Sequence, residues 1–296
     1  MQTKLEARAT LLLVSIATVM IALGIAGCKP RSAALPEDVQ GVAVVLSGGG
    51  GRGYAHVGVL SVLHEHGVPV DLVIGTSVGA LVGAMYAADP NPEALREAAM
   101  RFGYEDVIDI VLSLEAFEKG LVEGKAIESF TRTHVAARNI GDMKIPFVAI
   151  AADLDSGELV ELDRGSVAKA VHASIAIPGV FQPTQHEGRR LIDGGVVANL
   201  AVDVARARGA RQVIAVDVTE GISKVPPEDV LEIIVRALDI MMADMTRRQA
   251  TRADVVIRPD VADISVLDFS QKRRAYDAGR KAATAKIEEV IELIGR

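Results

Sequence analysis

The sequence predicts an α/β protein, a three-layer α/β/α sandwich around a mainly parallel central sheet. From residue 41 onward, short apolar runs rich in β-branched residues alternate with segments of helical period, which is the pattern of a doubly wound sheet. Several of these runs are apolar throughout, as strands are when helices cover both faces of the sheet. Because no repeat and no Pro/Gly-rich linker divides residues 41–296, we expect them to form one domain.

The strands are predicted from the apolar β-branched runs and the helices from the 3.6-residue spacing of apolar positions. The predicted strands are residues 42–47, 70–74, 147–152, 158–162, 190–192, 212–218 and 255–258. The predicted helices are residues 54–66, 77–88, 92–102, 124–135, 167–173, 202–208, 227–251 and 271–294. The apolar segment 104–123 fits either a buried helix or a flap beside the site, and we favour core packing because apolar periodicity usually marks burial.

The composition excludes several classes of partner. The chain has 296 residues, of which 50% are apolar, so it can bury a large core. Aromatic residues make up only 3% and tryptophan is absent, which argues against stacking platforms for carbohydrate or single-stranded nucleic acid. The net charge of −7 leaves no basic footprint for a duplex, so we expect no nucleic-acid partner.

The beginning of the chain has the pattern of a secretion signal. Lys4 and Arg8 precede an almost wholly apolar run over residues 11–25, which closes on Ala-Gly-Cys28. Small residues before a cysteine resemble the lipobox of bacterial lipoproteins, which implies a signal peptide over residues 1–27 and acylation of Cys28. A retained transmembrane helix is the main alternative, since the run is nearly long enough to span a bilayer.

Lipidation would tether the protein outside the cytoplasm, with residues 28–40 as the lipidated cysteine and a flexible spacer. A buried structural thiol fits poorly, because Cys28 is the only cysteine and a polar, Pro-containing stretch follows it. Lys29 directly after the cysteine resembles the pattern of lipoproteins sorted to the outer membrane. We therefore expect a lipoprotein of the bacterial cell envelope, anchored in the outer membrane and facing the periplasm.

A candidate nucleophile lies where the second predicted strand meets a helix. Residues Gly75-Thr76-Ser77-Val78-Gly79 fit the G-x-S-x-G elbow, in which Gly75 and Gly79 permit a tight turn that presents the Ser77 hydroxyl to substrate. The helix that follows would favour negative charge near Ser77. The alternative is a helix-capping serine in an ordinary turn.

The first predicted strand ends in a glycine-rich segment, residues 48–53, whose backbone N–H groups could hold an oxyanion. The segment also satisfies G-x-G-x-x-G, the fingerprint of dinucleotide-binding turns. Such a site needs an acidic residue at the end of the next strand, whereas Asp71 lies at its beginning. A phosphate loop is excluded because Tyr54 stands where Lys and Ser/Thr are required.

The proton acceptor is predicted to be a carboxylate. A serine nucleophile needs a base, but none of the six histidines lies in a late strand-end loop of the kind that carries one. Asp193, followed by Gly194 and Gly195, stands where the 190–192 strand ends in a glycine turn. Asp193 is therefore the candidate base.

These motifs together resemble the patatin-like phospholipases. The family's G-G-G-x-R-G is present as residues 48–53, its G-x-S-x-G as 75–79 and its D-G-[GA] as 193–195. Residues 173–183 resemble its A-S-x-A-x-P-x-x-F segment, and residues 153–158 resemble its central D-L-x-[ST]-G-E pattern. The resemblance implies a patatin-like fold and a catalytic domain over residues 41–296.

The resemblance also implies a mechanism. Ser77 and Asp193 would form a catalytic dyad that cleaves a lipid acyl ester through an acyl-enzyme, with no metal and no cofactor. The N–H groups of Gly49 and Gly50, joined by Gly51, would hold the oxyanion.

The same resemblance implies a phospholipid or lysophospholipid as substrate, at a membrane surface to which the lipid anchor holds the enzyme. Arg52 would organise the glycine loop or contact a lipid phosphate, unless it forms an ordinary surface ion pair. The alternative functions are a non-catalytic lipid-binding lipoprotein and a Rossmann-type oxidoreductase.

Overall fold

The computed structural model describes residues 39–103, 123–221 and 226–295. Eight strands of these residues form one sheet. In chain order they are β1 Val42–Leu46, β2 Leu72–Thr76, β3 Phe147–Asp153, β4 Leu159–Leu162, β5 Thr184–His186, β6 Arg189–Asp193, β7 Gln212–Val216 and β8 Val255–Ile257.

The helices among the described residues confirm most of the predicted ones. They are α1 Tyr54–Glu65, α2 Val78–Ala88, α3 Pro92–Arg101, α4 Lys125–His134, α5 Val167–Ile175, α6 Gly195–Ala198, α7 Val202–Ala207, α8 Val230–Ala250 and α9 Lys272–Ile294. Short 3-10 turns cover Gly50–Gly53 and Ile140–Asp142. The short helix α6 was not predicted. No helix in the described ranges combines the length and apolar character that crossing a bilayer requires.

The sheet is mixed, with a parallel majority. Hydrogen-bonded neighbours follow the order β5-β6-β3-β2-β1-β7-β8, and β4 also pairs with β3. The ladder from β3 through β2, β1 and β7 to β8 is parallel, whereas β4 and β6 run antiparallel to β3 and β5 runs antiparallel to β6. The predicted fold class is thus confirmed.

Each face of the sheet contributes to its own apolar core. In β1, Val42, Val44 and Leu46 belong to one buried cluster, while Ala43 and Val45 belong to another. This separation follows from the two-residue period of a strand, which directs successive side chains to opposite faces. Burial on both faces explains why β1 is apolar throughout.

The register places two strand ends together at β3. β2 pairs with residues 147–150 of β3 and β6 with residues 151–153, whereas β4 pairs with residues 149–152 and overlaps both. Since two strands cannot pair with the same residues on one edge, β4 lies on one edge of β3, and β2 and β6 share the other. β2 and β6 therefore approach one another end to end.

Strand β5 was not predicted, because Thr184–His186 is short, polar and only partly buried. It forms a hairpin with β6 through Glu187 and Gly188, which both have positive φ. The helix predicted over residues 227–251 begins at Val230 because the Asp229 side chain accepts a hydrogen bond from Glu232 N. The apolar segment predicted over residues 104–123 lies, except for its last residue, outside the described residues.

Candidate active site

Ser77 lies at a strained turn between β2 and α2. Its φ of 55° and ψ of −127° are rare for a residue with a side chain, and such strain persists only where the surroundings impose it. Ser77 N donates a 2.9 Å hydrogen bond to Ser174 Oγ, which in turn donates to Ile150 O at 2.5 Å. The α5 residue Ser174 thereby ties the turn to β3.

The glycines of the motif allow α2 to begin directly against the strands. A Cβ at Gly75 would lie 2.3 Å from Gly79 O, and one at Gly79 would lie 2.5 Å from Leu46 O. Neither distance leaves room for a methyl group. The spacing predicted from the sequence is therefore required by packing on both sides of Ser77.

Asp193 ends β6 and meets Ser77 across the gap between the two strand ends. Ser77 Oγ donates to Asp193 Oδ2 at 2.6 Å, and Gly195 N donates to Asp193 Oδ1 at 2.7 Å. Both side chains are buried. Gly194 precedes α6 and packs against β3, where a Cβ would lie 2.4 Å from Ile150 O. The structure thus brings together the two residues singled out in the sequence.

Burial raises the pKa of Asp193 from its ordinary 3.8 to about 6, although the hydrogen bonds from Ser77 and Gly195 favour the carboxylate. A carboxylate with such a pKa is ionised at neutral pH and is a stronger base than an exposed aspartate. No histidine hydrogen-bonds to Ser77 or Asp193 in the described part of the chain. The arrangement can therefore accept the serine proton through Asp193 alone.

The glycine loop after β1 presents two unpaired amides. Gly48 N donates to Asn199 O at 3.3 Å and Gly51 N to Val266 O at 2.8 Å. Within the described ranges, the N–H groups of Gly49 and Gly50 have no hydrogen-bond partner. Gly49 and Gly50 have φ values of 152° and 55°, which L-residues seldom adopt.

Gly51 differs from the other two because its N–H is already bonded within the loop. We therefore keep Gly49 and Gly50 as candidate oxyanion donors and leave Gly51 out.

Arg52 does not lie where a lipid phosphate could reach it. Its side chain is fully buried, Nη1 and Nη2 donate to the Asp239 carboxylate at 3.1 and 3.0 Å, and Nε donates to Ile264 O at 2.8 Å. These contacts join the glycine loop to α8. They therefore favour the predicted alternative in which Arg52 organises that loop. A phosphate contact and an exposed ion pair are both incompatible with this burial.

Sequence reasoning missed several supporting residues. His56 Nε2 donates to Ser47 O at 2.9 Å, and burial lowers the pKa of His56 to about 4, so the ring stays neutral beneath the loop. Ser174 lies in the 173–183 segment that resembles the family motif, but that resemblance did not give it a role. Asp239 had no local signal, because 187 residues separate it from Arg52.

The paired Ser77 and Asp193 line an apolar cavity. The glycine loop forms one wall and α8 contributes Val235, Leu238 and Met242 to another. Among the residues that the structure describes, no group of three or more His, Cys, Asp or Glu side chains is placed to hold a metal ion. Cys28 lies outside the described ranges.

Comparisons with known proteins place these motifs in a family. A family model described as patatin-like phospholipase matches residues 44–206, which is more than half of the chain. An uncharacterized NTE family protein of Mycobacterium tuberculosis is 31% identical over 290 residues, covering 88% of this chain and 49% of the relative. Human patatin-like phospholipase domain-containing protein 6 is 35% identical over 181 residues, covering 60% of this chain and 13% of the relative.

The chain thus spans about half the length, or less, of these curated relatives. Among solved structures, VipD from Legionella pneumophila superposes with a TM-score of 0.51 at 13% identity, covering 85% of this chain and 67% of VipD. That likeness concerns the fold alone. Because the family model covers more than half of the sequence and includes both Ser77 and Asp193, the chain belongs to the patatin-like phospholipase family.

Proposed function

We propose that this protein is a serine acyl hydrolase that cleaves lipid acyl esters through Ser77 and Asp193. The observation that carries the proposal is the 2.6 Å hydrogen bond from Ser77 Oγ to the buried Asp193 carboxylate. Two unpaired glycine amides lie in the same cavity. Membership of the patatin-like phospholipase family supports the lipid substrate.

In the proposed first step, Asp193 Oδ2 takes the proton of Ser77 as Oγ bonds to the ester carbonyl carbon. The carbonyl electron pair moves to its oxygen, and the amides of Gly49 and Gly50 stabilise that negative charge. Collapse of the intermediate breaks the bond to the alcohol oxygen, which receives the proton held by Asp193. An acyl-enzyme and a free alcohol result.

In the second step, water attacks the acyl-enzyme. Asp193 takes one water proton as the water oxygen bonds to the acyl carbon, and it returns that proton to Ser77 Oγ as the ester bond to serine breaks. The products are a carboxylic acid and the starting enzyme. Each proton that Asp193 accepts is thus donated again within the cycle.

The decisive experiment is mass-spectrometric mapping of a fluorophosphonate adduct on the purified protein. We expect the adduct on Ser77, because among the hydroxyl groups that the structure describes only this one combines a proton acceptor with oxyanion donors. Ser61 is a matched control: it is buried, but its Oγ donates to Val57 O within α1. If the purified protein binds phospholipid vesicles but the probe does not label Ser77, it is a lipid-binding protein without this activity.

We also propose that Cys28 is acylated and anchors the protein in the outer membrane. The support is the sequence pattern around it, namely Lys4 and Arg8, the apolar run 11–25 and the Ala-Gly pair before the cysteine. The anchor would keep the enzyme at a lipid surface and raise its effective concentration there.

Replacing Cys28 by alanine is expected to abolish incorporation of labelled palmitate into the full-length protein expressed in a Gram-negative bacterium. Blocking the lipoprotein signal peptidase should cause the unprocessed wild-type protein to accumulate. Ser32→Ala, a change in the proposed spacer, is the control and should leave labelling intact. Equal labelling of wild type and Cys28→Ala would overturn the anchor.

A further inference from the structure

Two apolar cavities diverge from Ser77. The first, which we call the α8 cavity, is lined by Asp193 together with Val235, Leu238 and Met242. The second, which we call the α2 cavity, is lined by apolar side chains that include Leu81, Val180, Phe181 and Phe269. Gly50, Ser77, Ile177 and Val266 line both cavities. Ser77 and the free amide of Gly50 therefore lie at the junction.

A third cavity borders the α2 cavity. Gly50, Val78, Leu81, Phe102 and Phe269 line both, and Met85 and Ala99 are among the residues that line the third cavity alone. Val78, Leu81, Val82 and Met85 lie on one face of α2, which extends about 10 Å between the first and last of them. We call these two adjoining cavities, which together extend from Ser77 to Met85, the inner path.

An aromatic pair lies along the inner path. Phe102 and Phe269 meet edge to face with 5.9 Å between ring centroids. Tyr54 lines the third cavity, but its hydroxyl donates to Phe102 O at 2.7 Å and so fixes the backbone there. Apart from Ser77 and Gly50, the described residues that line the path offer apolar surface and bonded polar groups, which suits a hydrocarbon chain.

The two sides of the junction differ at Asp193. An outer cavity that carries the charged side chains of Glu232, Arg236 and Asp268 borders both sides, since it shares Val235 and Val266 with the α8 cavity and Val266 and Leu267 with the α2 cavity. Asp193, however, lines the α8 cavity and not the α2 cavity. Because the alcohol oxygen takes its proton from Asp193 in the proposed first step, this position of the carboxylate gives a lipid ester one preferred orientation.

We propose that the acyl chain of the substrate lies in the inner path, with its methyl end near Met85 and Ala99, and that the alcohol portion lies in the α8 cavity. This inference rests on the proposed hydrolase activity at Ser77. Burial of each methylene in an apolar site favours binding roughly fourfold, so the length of the path selects the chain length. Met85 and Ala99 are then the residues that determine chain-length specificity.

The test compares p-nitrophenyl butanoate, octanoate and palmitate. For the wild type, kcat/KM should rise from butanoate to octanoate and rise no further with palmitate. Ala99→Leu fills the end of the path and should lower the octanoate-to-butanoate ratio of kcat/KM at least tenfold. Met85→Ala lengthens the path and should raise the palmitate-to-octanoate ratio several-fold. The matched control is Ala94→Leu, on the exposed side of the same helix α3, which should change neither ratio.

A binding measurement separates failure of this inference from failure of the proposed activity. The Ser77→Ala protein should bind the fluorescent fatty acid cis-parinaric acid, and Ala99→Leu in that background should weaken binding at least tenfold. The inference is overturned if Ala99→Leu and Met85→Ala change neither the chain-length ratios of kcat/KM nor the binding of cis-parinaric acid. If the wild type hydrolyses none of the esters but Ala99→Leu still weakens binding of cis-parinaric acid, the catalytic proposal is overturned and the inner path is supported as a fatty-acid site.

Discussion

Replacing Asp193 by asparagine is expected to lower kcat/KM for ester hydrolysis about 10³-fold or more, in the upper part of the range for loss of a general base. The amide has nearly the same shape as the carboxylate and can still accept the hydrogen bond from Gly195 N, now 2.7 Å from Oδ1. It cannot take the Ser77 proton. Steady-state kinetics with a soluble p-nitrophenyl ester measure the loss without interference from membrane binding.

The same residue sets the expected pH dependence. The base must be ionised, and burial raises the pKa of Asp193 to about 6. The wild-type kcat/KM should therefore increase about tenfold per pH unit below that value and level off above it. A rate that stays constant between pH values of about 5 and 8 would show that a different group accepts the proton.

Stability should change in the opposite direction to activity. Since the folded-state pKa of Asp193 lies above the ordinary 3.8, its stabilising contribution is fully present below about pH 4 and is lost as the pH rises through about 6. Asparagine removes this charge, so Asp193→Asn should unfold at a Tm no lower than that of the wild type at pH 8. A lower Tm would mean that the activity loss reflects disrupted packing.

Asp153→Asn is the matched control for the Asp193 variant. Asp153 is also buried at the end of a strand in the same sheet, but its Oδ1 accepts from Asp155 N and Ser156 N in the turn before β4. An asparagine oxygen can accept both bonds. The control should hydrolyse esters within a few-fold of the wild type, and a loss as large as that of Asp193→Asn would remove the special role of position 193.

The sequence was sufficient to locate Ser77 and Asp193 because both depend on local signals. A glycine on each side of a serine and an Asp-Gly-Gly turn at a strand end are patterns that a few consecutive residues show, although the contacts that require Gly79 and Gly194 involve the distant strands β1 and β3. Their meeting depends on a feature with no local signal, namely that β6 runs antiparallel to β3 and ends beside β2. Strand direction is set by the tertiary arrangement, and here the family resemblance supplied what periodicity could not.

The remaining differences between the site predicted from the sequence and the site in the structure share one physical cause. The bond from Gly51 N to Val266 O and the ion pair of Arg52 with Asp239 join residues far apart in the chain. Hydrophobic periodicity reports the face that a helix buries, but it does not identify the partner of a buried charge. Arg52 in a glycine-rich loop is therefore readable as a surface group from the sequence, although it is fully buried.

The ion pair between Arg52 and Asp239 yields the largest expected effect on stability. Both side chains are almost inaccessible to water, and burial raises the pKa of Asp239 even though the positive charge of Arg52 acts to lower it. Removing one partner leaves the other charge buried and unpaired, which costs about 3–5 kcal/mol in the free energy of unfolding. Arg52→Met and Asp239→Leu should each show such a loss in urea unfolding.

The double variant Arg52→Met/Asp239→Leu separates charge pairing from packing. Replacing both members of a buried pair by apolar side chains removes both desolvation costs, so it should be more stable than either single variant. Arg96→Met is the matched control, because Arg96 pairs with Glu93 on the exposed surface of α3 and should change stability by less than about 1 kcal/mol. The opposite result would be a double variant whose loss of stability equals the sum of the two single losses. In that case the pairing of charges does not hold the glycine loop against α8. The loop is then held by contacts that each side chain makes on its own, such as the bond from Arg52 Nε to Ile264 O.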